Sequence, residues 1–207
     1  AALFVAPAHD VTEEGENTMK LIIARHLIPC TGGRAQVTET ETGILIENGL
    51  IRRVDRLEAF EAERRGGKVE IIDAGDNYVL PGLIDAHLHL SFSSSAQPLD
   101  QLYGDDEATV LLRMVRAAQM ELRSGVTTVR DSGSKGMSIL QLRDFIRRGE
   151  LEGPDILAAG MPLTITGGHC NFCGLECDSR EEAVKAVRLL CKQGVDYIKV
   201  MVSGGNM

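Results

Sequence analysis

Two patterns of hydrophobic and polar positions divide the chain. Up to about residue 80, short apolar runs interrupted by glycine occur at residues 21–24, 43–49, 50–54 and 69–73. Runs of this length predict β-strands, and Asn48-Gly49 between two of them predicts a tight hairpin. The charged stretch 56–65 predicts a short helix. We therefore expect a small antiparallel β domain over residues 19–80, preceded by a polar extension over residues 1–18.

After Pro81-Gly82, apolar runs begin to alternate with amphipathic stretches. The pattern predicts strands at residues 83–87, 125–130, 155–159 and 195–202, and helices at residues 105–124, 138–148 and 179–193. The last helix begins with a capping box, in which Ser179 and Glu182 satisfy each other's backbone N–H groups. Such alternation is typical of βα units on a parallel sheet, so residues 81–207 predict a second domain of class α/β.

The number of strands limits the architecture of this second domain. A closed (β/α)8 barrel has eight strands and about 250 residues, whereas residues 82–207 predict four strands. The segment is therefore either half of such a barrel or an open α/β sheet. The chain contains neither G-x-G-x-x-G nor G-x-x-x-x-G-K-[ST], so nucleotide binding has no support.

Composition excludes several functional classes. The net charge is -8, aromatic residues make up 4% and tryptophan is absent, so we expect no nucleic-acid partner. No apolar run approaches the roughly 20 residues of a membrane span, so we expect no membrane association. The five cysteines are an odd number, and three are clustered. This differs from a secreted disulfide framework and favours a reducing, cytoplasmic location.

A histidine pair ends the first strand of the second domain. His87 and His89 are two residues apart, so on a strand they point to the same face. Both imidazoles could then bind one cation at the carboxyl end of the strand, where active sites of such sheets lie. Asp85 shares this face and could orient a ligand. The plainer interpretation is two polar residues on a solvated edge, but the preceding Y-V-L-P-G-L-I-D-A favours a metal site.

A single lysine interrupts the last apolar run, V-D-Y-I-K-V-M-V. A charged ammonium at the centre of a sheet is costly, so Lys199 must pair, lose its proton or be modified. A neutral amine can add carbon dioxide to form a carbamate, whose two oxygens can bridge two divalent ions. Alternatively, Lys199 reaches solvent or pairs with an acid such as Asp131. Arg130 and Asp131 close the second strand, and we expect one of them to face the interior.

The loop T-G-G-H-C-N-F-C-G-L-E-C follows the third strand. We expect His169, beside the flexible Gly167 and Gly168, to contact a substrate. A structural zinc site is the local alternative, and it would use His169, Cys170, Cys173 and Cys177. The spacing of the three cysteines is tight, and the sequence has no second cluster to complete a zinc site. We therefore favour cysteines that only pack in the protein interior.

Three motifs, V-L-P-G-L-I-D-A-H-L-H, G-V-T-T-V-R-D and Y-I-K-V-M-V-S-G-G, resemble the amidohydrolase superfamily and follow its order. The G-G-H loop and the lysine strand are most similar to its prolidase-like, zinc-dependent dipeptidases and carboxypeptidases. The resemblance covers roughly residues 20–207. It implies the first four βα units of a (β/α)8 TIM-type barrel, preceded by part of a small β-sandwich.

The resemblance also implies roles. His87 and His89 would hold the more buried metal, and a carboxylated Lys199 would bridge two zinc or similar divalent ions. The family's two further histidines and catalytic aspartate have no counterpart in residues 1–207. We therefore expect this chain to be inactive alone and to need a complementing C-terminal half, with a homo-oligomer also possible.

The expected activity is hydrolysis of a C–N bond in a small molecule, a dipeptide or an N-acyl amino acid. An imidazolonepropionase-like cyclic-amide hydrolase or a deaminase is an alternative within the same class. In another class, the alternative is a non-catalytic fragment or a structural zinc-binding or assembly module.

Overall fold

A computed structural model describes residues 2–5, 19–31, 36–38 and 40–204. The chain divides into two compact units, Ala1–Leu83 and Ile84–Met207, here called the β unit and the α/β unit. The sequence predicted the change of architecture between residues 80 and 81.

The β unit contains two sheets. Its strands are β1 (Ala2–Val5), β2 (Met19–Ala24), β3 (His26–Leu27), β4 (Thr42–Glu47), β5 (Leu50–Arg56), β6 (Val69–Asp73) and β7 (Tyr78–Pro81). One sheet has the order β5-β4-β2-β6, and the other has the order β1-β7-β3. A 3-10 turn at Leu57–Phe60 leads into the short helix α1 (Glu61–Arg65), which lies in the predicted charged stretch.

The predicted hairpin is confirmed. Strands β4 and β5 pair antiparallel, and both Asn48 (φ 51°) and Gly49 (φ 75°) adopt the positive φ that a two-residue turn of this kind requires. The prediction of an antiparallel domain is wrong for other pairs, because β2 pairs parallel with β6 and β7 pairs parallel with β1 and β3. The turn and helix between β5 and β6 carry the chain back across the sheet, which strand patterns alone do not reveal.

The start of the predicted polar extension is also different. Ala2–Val5 form β1, which pairs with Tyr78–Pro81. These residues therefore belong to the β unit. Residues 6–18, the rest of the predicted extension, lie outside the described residues.

In the α/β unit, strands and helices alternate as predicted. Its elements are β8 (Leu83–Leu88), α2 (Pro98–Gly104), α3 (Glu107–Ser124), β9 (Val126–Asp131), α4 (Ser138–Arg147), β10 (Asp155–Ala158), β11 (Leu163–Thr164), β12 (Leu175–Glu176) and α5 (Arg180–Gln193). Strands β10, β9 and β8 form a sheet in that order, with β9 and β10 parallel. The mixed α/β class predicted from the sequence is confirmed.

Helices α3 and α4 supply most of the apolar core of this unit. Met114 of α3, Leu142 of α4 and Val129 of β9 are almost completely buried in one cluster. Helix α3 begins at Asp106, whose carboxylate accepts from the Thr109 N–H, and α5 has the predicted capping box between Ser179 and Glu182. None of the described helices combines the length and apolar character that crossing a membrane requires.

The predicted fourth strand, residues 195–202, is not a regular strand. One parallel bridge joins Val200 to Leu163, flanked by hydrogen bonds from the Leu163 N–H to the Lys199 carbonyl and from the Met201 N–H to the Leu163 carbonyl, both 2.8 Å. The partner strand β11 is only two residues long, so the pairing with this segment is short.

Candidate metal centre

The predicted histidine pair lies at the carboxyl end of β8. The ring centroids of His87 and His89 are 5.6 Å apart. One oxygen of Asp85 accepts a hydrogen bond from the His87 backbone N–H at 2.9 Å, so this carboxylate holds the backbone and not the imidazole. The contact observed for Asp85 is therefore with the backbone of β8, whereas the sequence predicted that it orients a metal ligand.

Lys199 lies beside this pair. Its Nζ is 3.5 Å from Nε2 of His87, although the two residues are 112 positions apart in the sequence. The alternative partner considered for Lys199, Asp131, instead accepts hydrogen bonds from the Leu90 and Gly133 N–H groups and from the Ser134 hydroxyl. The fold thus brings together the amine and the imidazole that the sequence proposed as ligands of one centre.

The ring of His89 is fixed on two sides. Its Nδ1 lies 2.8 Å from the carbonyl oxygen of Gly133, and its plane stacks on Phe92 with centroids 4.9 Å apart. Because a carbonyl oxygen can only accept, Nδ1 must carry the proton in this contact. Nε2 is then the unprotonated nitrogen of the neutral ring, which is the form that binds a metal.

Both imidazoles favour the neutral form. Burial lowers the pKa of His87, and the positive charge of Lys199 lowers it further. Burial also lowers the pKa of His89, the contact with Gly133 opposes this shift, and Lys199 and His169 add to it. Metal ligation needs neutral histidine, so both rings suit a cation at neutral pH.

His169 lies near this pair, close enough to contribute to the lowered pKa of His89. Its side chain is half-buried. Its Nδ1 is buried and makes no hydrogen bond within the part of the chain that the structure describes. The ring thus retains an unused polar atom beside the candidate centre.

The structure does not support the alternative zinc site in the cysteine loop. Cys173 Sγ donates to the Cys170 carbonyl, and Cys177 Sγ donates to the Leu175 carbonyl. Burial raises the pKa of Cys173 to about 12 and also raises those of Cys170 and Cys177. Among the described residues, no group of three or more His, Cys, Asp or Glu could hold an ion.

Sequence reasoning missed how Arg130, Asp131 and Tyr197 are used. The Arg130 guanidinium lies over the Tyr197 ring, 4.2 Å from its centroid. The Tyr197 hydroxyl donates to the Asp131 carbonyl at 2.8 Å. This ties the Lys199 segment to the end of β9. The sequence D-S-G-S at residues 131–134 indicates a structured turn at the end of the predicted strand. It does not indicate which residues the turn contacts.

Comparison with known proteins identifies the family. The model of the amidohydrolase family matches residues 78–206. The chain belongs to the amidohydrolase family, and the resemblance found in the motifs is confirmed.

Alignments with individual relatives include most of this chain but only a third to a half of each relative. Ochratoxinase from Aspergillus niger is 27% identical, with 62% of this chain and 32% of the relative aligned. A solved amidohydrolase is 29% identical with a TM-score of 0.77, covering 91% of this chain and 48% of its own. A Xaa-Pro dipeptidase with methionine bound in its active site is 31% identical with a TM-score of 0.72, at the same coverage. The chain thus spans about a third of ochratoxinase and about half of the solved relatives.

Proposed function

We propose that the protein acts as a metal-dependent hydrolase of C–N bonds. His87 and His89 would hold one divalent ion, and Lys199, once carboxylated, would bridge it to a second ion, zinc or a similar metal. The observation that carries this proposal is the 3.5 Å approach of the Lys199 amine to Nε2 of His87, between residues 112 positions apart.

The residues present fit part of such a centre. His89 has Nδ1 occupied by Gly133 and leaves Nε2 available, and His87 directs Nε2 toward Lys199. A divalent ion held there would activate water and polarise a scissile carbonyl at neutral pH. The protein's own contribution is to hold two neutral imidazoles and one amine around a common space.

The remaining ligands and the general base would come from polypeptide outside residues 1–207. We propose that residues 81–207 form the first half of a (β/α)8 barrel, completed by a C-terminal half. The coverage of about half of each solved relative supports this arrangement.

The substrate class we propose is a dipeptide or an N-acyl amino acid. The similarity to a Xaa-Pro dipeptidase supports a small substrate with an amide bond. His169 would contact this substrate, since the half-buried ring lies close enough to His89 to lower its pKa.

The test uses the longest natural form of the protein that contains residues 1–207. Metal-stripped protein is assayed against dipeptides and N-acyl amino acids, with and without added zinc. We expect zinc to restore hydrolysis in the wild type and in the control Lys192→Met, an exposed lysine on α5, but not in Lys199→Met. Carbon-13 NMR after supply of labelled bicarbonate should show a carbamate signal in the wild type that Lys199→Met lacks. Hydrolysis independent of zinc and of Lys199 would overturn the proposal.

A further inference from the structure

Residues 131–134, the last residue of β9 and the loop after it, contact the backbone on both sides of His89. The Ser132 N–H donates to the Leu88 carbonyl at 2.8 Å, and the Leu90 N–H donates to the Asp131 carboxylate at 2.8 Å. These bonds hold the residues immediately before and after His89. The loop is therefore fixed to the backbone on both sides of one candidate ligand, at the carboxyl end of β8.

Asp131 is the centre of this loop. Its carboxylate is completely buried and accepts three hydrogen bonds, from the Leu90 N–H, from the Gly133 N–H at 3.2 Å and from the Ser134 hydroxyl at 3.0 Å. Two of the three partners are backbone N–H groups, which can only donate. An amide in place of the carboxylate would turn its NH2 toward at least one donor, so the site selects aspartate.

The same loop presents the acceptor that sets the tautomer of His89. The Gly133 carbonyl lies 2.8 Å from His89 Nδ1, and Gly133 has φ +138°, a conformation that favours glycine. A Cβ at this position would lie 3.1 Å from the ring of Pro162. The orientation of the carbonyl thus depends on a backbone that the Asp131 carboxylate holds through the Gly133 N–H.

We infer that Asp131 is a positioning residue for His89. By holding residues 131–134 against Leu88 and Leu90, it keeps the Gly133 carbonyl on Nδ1 and leaves Nε2 of His89 unprotonated for a cation. Asp131 itself is not a ligand, because its oxygens are occupied by three donors. This inference rests on the proposed function for its biological meaning, but the claim about the tautomer stands on the contacts alone.

The test compares Asp131→Asn and Ser134→Ala with a control, Leu142→Ala. Leu142 is buried in the same core but has none of the hydrogen bonds of the loop, so its loss lowers stability without changing these contacts. Nitrogen-15 NMR of the histidine rings reports the tautomer of His89 in metal-free protein. Competition with a chromophoric chelator reports zinc affinity, with folding checked by circular dichroism.

In the wild type and in Leu142→Ala we expect the Nδ1–H tautomer of His89. In Asp131→Asn we expect a mixture of tautomers and a zinc affinity lower by roughly 10–100-fold, which is typical when a group that orients a ligand is lost. Ser134→Ala removes one of the three donors and should shift both readouts in the same direction by less. If Asp131→Asn does not fold, the two readouts of Ser134→Ala test the inference instead.

A wild-type tautomer and wild-type zinc affinity in Asp131→Asn, or in Ser134→Ala where the first variant is unfolded, would overturn the inference. So would an equal change in Leu142→Ala. If the wild type binds no zinc, the proposed function fails, but the tautomer measurement still decides whether Asp131 positions His89.

Discussion

The β unit and the α/β unit differ in how many polar side chains they bury. Among the described residues of the β unit, Thr42 is the one buried polar side chain, and the charged residues pair at the surface. Lys20 and Glu70, for example, are 3.1 Å apart with side chains 44% and 60% exposed. The α/β unit instead buries Ser91, Thr127, Asp131, Ser132, Ser134, Ser138, Arg143 and Thr164.

This difference has a physical meaning. A buried polar group left without a partner costs about 1–3 kcal/mol, so specific hydrogen bonds must satisfy most of them. Among the described residues, the hydroxyls of Ser91 and Ser138 are exceptions. Three of the buried polar residues in the α/β unit, Asp131, Ser132 and Ser134, lie in the loop that holds His89. Part of the polar burial among the described residues therefore lies where we place the metal centre, whereas the described core of the β unit is almost entirely apolar.

The largest expected effect comes from breaking a buried ion pair in the α/β unit. Arg143, with its side chain 8% exposed, donates to Asp196 at 2.9 Å and to the Gly194 carbonyl. Arg143→Met should lower the free energy of unfolding by about 3–5 kcal/mol, because it removes two buried hydrogen bonds from a charged donor, each worth about 1.5–3 kcal/mol. Asp196 keeps Arg147 at 3.3 Å and the Ala158 N–H at 2.8 Å as partners. The matched change Lys20→Met in the β unit should cost at most about 1 kcal/mol. Guanidinium chloride unfolding of both variants measures the difference, and equal losses would contradict the contrast between the units.

A smaller effect should appear in the pH dependence of stability. Burial raises the pKa of Asp131 to about 6, from an ordinary value of 3.8, although its hydrogen bonds with Leu90, Ser134 and Gly133 oppose the shift. A raised pKa means that the folded protein binds the proton more tightly than the unfolded chain. The stabilisation is fully present below about pH 4 and is lost as the pH rises through 6, by an amount on the order of 3 kcal/mol.

Unfolding of the wild type and of Asp131→Asn between pH 4 and pH 7 measures this effect. The free energy of unfolding of the wild type should fall with rising pH relative to that of the variant, and the two curves should run parallel above the pKa of Asp131. A wild type that gains stability relative to Asp131→Asn over this range would show that burial does not dominate at this site.

Local patterns allowed much of the fold to be predicted. Asn48-Gly49 identified the hairpin, and Ser179 with Glu182 identified the start of α5, since both signals act within a few residues. Strand partners could not be predicted in the same way. The parallel pairing of β2 with β6 depends on a connection through α1, and the segment around Lys199 is joined to Leu163 by one bridge between residues far apart in the sequence.

The residues of the candidate site also fall into a group that the sequence predicted and a group that it did not. Side chains with distinctive chemistry, His87, His89 and Lys199, could be proposed from spacing and apolar context, and the fold places two of them 3.5 Å apart. The groups that hold them could not be proposed, because their partners are backbone groups. The Gly133 carbonyl contacts His89 Nδ1, and the Asp131 carboxylate accepts from the Leu90 and Gly133 N–H groups. Any residue offers a backbone carbonyl or N–H, so sequence does not single these partners out.

The most direct test of the account is the zinc content of the longest natural form of the protein that contains residues 1–207, measured after equilibrium dialysis. His87→Ala and His89→Ala should each lose zinc. His26→Ala, a control in the β unit whose ring stacks on Tyr78 at 5.0 Å, should retain it at the wild-type level. Zinc retained in full by both His87→Ala and His89→Ala would contradict the assignment of the metal centre.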